Sequence, residues 1–247
     1  MSRSEFPRVH ELIDLIEDRE SPAAYFQDFD NSLHDSPEKK RVWLAREAEF
    51  DKLDQAAWDA LKSEACPHLA NWDVKRGWQQ LITILNQARA YNFLRNIGCS
   101  TVRFVPRATQ EGNKTPDLEA RSCGLRVLCE VKTINVSDKE ASARHNGQVR
   151  TTSDRLDTRF LNKVRSTLER AKAQIEAFEN GEESKRIAFM VIDFDDSLGQ
   201  YKKEYYAQID DFLACDPVVG VEIVFYNQRT PFHTQISMKF ATVVNEE

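Results

Sequence analysis

Nothing in the 247-residue chain is a run of 18 apolar residues, which excludes a single helix long enough to cross a bilayer. Met1-Ser2-Arg3-Ser4-Glu5 also lacks the apolar stretch of a secretory signal, so the expectation is a soluble, cytoplasmic protein with no membrane partner. Cysteine is scarce and odd in number, 5 in all, with no Cys-x-x-Cys spacing. That excludes a disulfide framework and a structural zinc site, leaving reduced, partly buried thiols. Cys66-Pro67-His68 offers two soft ligands but no second pair to complete a site.

An excess of basic charge is also lacking. The formal net charge is −6, which on its face argues against a nucleic-acid partner. The distribution reverses that argument for one segment. Residues 99–170 carry 14 Lys and Arg against 9 Asp and Glu, whereas residues 1–98 carry 13 against 17 and residues 171–247 carry 7 against 14. The middle segment is the only basic part of the chain, as an electrostatic footprint for phosphates requires.

With 41% hydrophobic residues, the chain can bury one sizeable core and a smaller addition. Residues 1–70 read as a helical region. Val9, Leu12, Ile13 and Ile16 are at helical spacing, and a helix beginning at Pro37 carries Trp43, Phe50, Leu53, Trp58 and Leu61 as far as Cys66-Pro67. Residues 71–247 read as an α/β domain. A helix over 74–97 stops at Gly98, a strand covers Thr101 to Pro106, and a polar loop leads to Pro116. Further on, a helix from Phe160 to Phe178 is followed by two continuous apolar runs, 187–192 and 218–225, that suit strands buried on both faces.

The chemistry concentrates at Pro116-Asp117 and Glu130-Val131-Lys132. The intervening residues read as strand, tight turn, strand, with the turn at Cys123-Gly124 or over Ser122 to Leu125. Either turn sets Asp117 opposite Glu130 with both side chains on one face, and Lys132, two residues on, shares that face. Two carboxylates held together repel unless a cation lies between them, so the pair suggests a hard divalent metal bound by oxygens.

These residues resemble the motif of the PD-(D/E)XK nuclease superfamily, with the match falling on Pro116, Asp117, Glu130 and Lys132. The resemblance covers roughly residues 74–227. It implies a three-layer nuclease core with a mixed central sheet flanked by helices, and a metal-dependent hydrolysis of DNA phosphodiesters. It also implies Mg²⁺ or Mn²⁺ held by Asp117, Glu130 and the Val131 carbonyl, with Lys132 beside the scissile phosphate. Core helices of the family often add a Glu, and none lies between Val74 and Ile97; Gln87 is the nearest substitute. Gln174, four residues before Phe178, is similar to the Gln-x-x-x-Tyr of RecB-like members. Lys139, Arg144, Arg150 and Lys163 are the candidate phosphate contacts. The expected partner is nucleic acid, DNA first, and a homodimer is compatible with the reading. Two alternatives stay open: a nuclease-fold module that binds nucleic acid or protein without turnover, and an RNA-directed nuclease.

Overall fold

The computed structural model describes residues 3–73, 77–107, 114–134, 153–179, 181–192, 194, 201–227 and 230–234. Lys139, Arg144 and Arg150 lie outside the described residues. The chain divides into two compact units. One comprises residues 1–96 with 102–104, and the other 97–101 with 105–247.

The first unit is helical: α1 (Pro7–Asp14), α2 (Phe29–Asp35), α3 (Pro37–Phe50), α4 (Gln55–Ala65) and α5 (Gln79–Asn96). The helix expected to run on from Pro37 is in fact two, α3 and α4. The reason is Asp54, whose side chain accepts from the Ala57 N–H at 2.8 Å and so caps a new helix, while Leu53 turns into the core. Helix α1 has no cap of its own. Glu47 on α3 supplies one, accepting from the Arg8 and Val9 N–H groups at 2.7 and 2.9 Å. The helix read over 74–97 is described from Gln79 to Asn96 and groups with the helices before it. Gly98 follows at φ +84°, the left-handed position expected after the helix.

The second unit is α/β, with a mixed sheet of five strands in sequence order: β2 (Leu118–Ser122), β3 (Leu125–Ile134), β4 (Ser184–Ile192), β5 (Glu222–Asn227) and β6 (Thr230–Thr234). The preceding strand β1 (Ser100–Phe104) is divided between the units. β2 runs antiparallel to β3, β3 to β5 are parallel, and β6 returns antiparallel at the edge. The parallel crossovers are α6 (Thr158–Phe178) and α7 (Lys202–Cys215). Asp157 caps α6 by accepting from the Arg159 N–H at 2.8 Å. Val164, Leu168 and Ala171 of α6, with Ile209 and Leu213 of α7, pack against Ile134, Ala188, Met190, Ile192, Ile223 and Phe225 of the strands. Every residue from Ile187 to Ile192 is buried, as a strand covered on both faces requires.

The second apolar run is not a strand throughout. β5 starts at Glu222, because Gly220 at φ +86° breaks the extended backbone. Val218 and Val221 still reach the core, while Val219 is 74% exposed.

Candidate active site

The hairpin β2–β3 builds the site. Ser122 pairs with Leu125, leaving Cys123-Gly124 as a two-residue turn with φ of +50° and +82°, the twist that suits a tight hairpin. The register runs back to Leu118 opposite Cys129, so one step further Asp117 falls opposite Glu130. Pro116 is buried, at no cost in stranded donors since it has no N–H. It also biases Thr115 toward extended backbone, and the segment arrives at Asp117 stiffly held.

Asp117 anchors itself across the strand end. Its Oδ2 accepts from the Val131 N–H at 2.7 Å, and its backbone carbonyl accepts from the Val105 N–H at 3.0 Å. A strand residue's N–H and C=O leave on the same side, so the Val131 carbonyl is directed toward Asp117 as well. Glu130 is 1% exposed and makes an ion pair with the Lys132 ammonium through Oε1. Its Oε2 is buried with no hydrogen-bond donor among the described residues. Burial, then the Asp117 carboxylate within bonding reach, push the Glu130 carboxyl well above the ordinary glutamate range; Lys132 offsets part of this. The neighbouring Cys129 thiol, fully buried, is likewise pushed up by burial and by both carboxylates.

Gln174 joins this group from α6. Its Oε1 accepts from Lys132 Nζ at 3.2 Å, and its Nε2 donates to the Thr115 carbonyl at 2.7 Å. One amide thus holds both the ammonium and the segment that presents Asp117. Thr115 is the participant that sequence reading missed, because a backbone carbonyl leaves no signature in residue types. Gln87 sits in α5 of the first unit, buried, with Nε2 donating to Glu64 Oε1 at 3.4 Å. Lys163 lies exposed on α6.

The donor set can be weighed against a metal. No group of three His, Cys, Asp or Glu that could hold an ion occurs among the described residues. Mg²⁺ does not need one, since it is commonly bound through one or two carboxylates and keeps much of its water. Two facing carboxylates, one with an orphaned buried oxygen, and an adjacent backbone carbonyl are hard oxygen donors that fit such an ion. Compared with family models, curated proteins and solved structures, the chain matches none.

Proposed function

We propose that the protein is a metal-dependent nuclease of the PD-(D/E)XK kind, hydrolysing DNA phosphodiester bonds with Asp117, Glu130 and Lys132. The three-layer nuclease core belongs to the same proposal, supported by a mixed sheet whose central strand is buried on both faces. The observation that carries the reading is the meeting of Asp117, Glu130 and Lys132 at one strand end, with Glu130 buried and its Oε2 without a donor.

Asp117, Glu130 and the Val131 carbonyl would hold Mg²⁺ or Mn²⁺. The ion supplies an acidified water and charge neutralisation at phosphorus. Lys132, its ammonium fixed by Glu130 and Gln174, offers its remaining donor to a phosphate oxygen or to the attacking water. Gln174 keeps that ammonium from wandering and ties it to the Thr115–Asp117 segment, so nucleophile and phosphate meet a preset geometry.

Incubating purified protein with supercoiled, linear and single-stranded DNA and with RNA, each with chelator, Mg²⁺ or Mn²⁺, tests the reading. Metal-dependent cleavage that Asp117→Asn abolishes is the expected result. Binding without cleavage under every ion would favour the turnover-free module, which the absence of a third acidic ligand among the described residues supports. Cleavage of RNA alone would favour the RNA-directed enzyme.

A further inference from the structure

The solvent-facing side of α6 separates into two flanks that differ in how their charges are used. On one flank, at helical spacing, Arg165 pairs with Asp216 and sits 3.9 Å from Glu169, and Lys172 lies 4.0 Å from Glu176. The cations there are matched by acids. On the other flank of the buried stripe, at 3.6 residues per turn, Lys163, Arg170 and Gln174 fall within about 40° of arc. No acid of α6 shares that arc. Both cations are exposed, and among the described residues neither pairs with a carboxylate. Arg170 is braced instead by its own helix, its Nε donating to the Ser166 carbonyl at 3.1 Å and its Nη2 to Thr167 Oγ1 at 3.0 Å. Arg159 continues the line toward the helix start but is folded back onto Asp157.

The line ends at Gln174, which touches Lys132. From Lys163 to Gln174 is about 16 Å along the axis, at 1.5 Å per residue. We infer that this flank of α6 is a track for the phosphate backbone of duplex DNA, with Arg170 and Lys163 taking successive phosphates beyond the one held at Lys132. The inference rests on the nuclease reading of the site and adds to it the path of the substrate. The side chains present favour a duplex over a single strand. Single-strand sites combine cations with aromatic platforms for unstacked bases, and this flank shows none. The two phenylalanines of α6 are half-buried, Phe160 against Phe194 and Phe178 beneath the Arg126 guanidinium.

The test measures binding without turnover. Fluorescence anisotropy of a labelled duplex of about 20 base pairs is followed in chelator from about 50 to 200 mM KCl. Removing two phosphate contacts flattens the plot of log affinity against log salt by about 1.8, so Lys163→Gln/Arg170→Gln should lose about 12-fold less affinity across that range than the parent. Arg165→Gln/Lys172→Gln removes the same charge from the matched flank and should keep the parental slope. If the first pair lowers the melting temperature, Lys163→Gln alone, on a side chain with no partner among the described residues, should flatten the slope by about 0.9, or about 3.5-fold across the same range. A parent that cuts DNA while both pairs share its slope overturns the track and leaves the nuclease reading standing. A parent that cuts nothing but shows the flattened slope in the first pair keeps the track and removes the nuclease. Tighter, more salt-dependent binding of duplex RNA or of single-stranded DNA overturns the assignment to duplex DNA.

Discussion

At Glu130 three magnitudes compete: the cost of burying a carboxylate, the repulsion of Asp117 and the attraction of Lys132. The first two win, since the carboxyl is held above its ordinary range despite the ammonium. In chelator, the folded protein therefore keeps a proton on Glu130 that the unfolded chain releases above about pH 4.3. The stability this contributes is complete below that pH and is lost as pH rises through the folded value. Glu130→Gln should flatten the fall in stability with rising pH, seen as a smaller difference between urea midpoints at pH 5 and pH 8 than in the parent. Lys132 tolerates the change because it is partly exposed and keeps oxygen acceptors. The thiols provide a second check. Cys66, Cys123 and Cys215 are exposed, whereas Cys99 and Cys129 are buried, with burial pushing Cys99 up to about 11. An aromatic disulfide reagent at neutral pH should modify the three exposed thiols of the native protein at once and the other two only after denaturation.

At the scale of elements, the site depends on a hairpin and on one helix that reaches back to it. Gln174 is a positioning residue whose two bonds can be separated. Gln174→Ala loses both and should lower kcat roughly 10- to 100-fold, the usual cost of removing a supporting hydrogen bond, with KM for DNA little changed. Gln174→Glu keeps an acceptor for Lys132 but cannot donate to the Thr115 carbonyl, so its kcat shows which bond matters. Equal fall of kcat and rise of KM in both variants would indicate a substrate contact instead.

For the whole molecule, a metal that binds only the folded state raises its stability by mass action, about 2.7 kcal/mol at an ion concentration 100 times Kd. Mg²⁺ or Mn²⁺ should raise the parent's melting temperature, and should do so much less for Asp117→Asn. In chelator, at a pH high enough to ionise Glu130, that variant should match or exceed the parent, since an amide oxygen can keep the Val131 N–H bond while the repulsion between two ionised carboxylates is removed. The signal must come from the sheet. All four tryptophans, Trp43, Trp58, Trp72 and Trp78, belong to the helical unit, so calorimetry, which registers the melting of both units, is the appropriate probe. A parent indifferent to both ions would remove the metal site.

Local rules in the sequence were enough to determine the hairpin and the facing of Asp117 and Glu130. Strand alternation has a period of two, and only a short even turn at Cys123-Gly124 joins the strands, so register follows from counting. The buried run of β4 was legible as a continuous apolar stretch of strand length. Other features needed the folded chain. Asp54 is one acid among many until its neighbours leave the Ala57 N–H for it to cap, and an apolar run through Val218 does not reveal that Gly220 will adopt a left-handed turn. The burial of Glu130, the bridge from Gln174 to Thr115 and the pairing of Arg165 with Asp216 are likewise tertiary. Each depends on groups from separate elements whose distance no spacing in one segment encodes, and burial and pairing energies exist only once those elements have met.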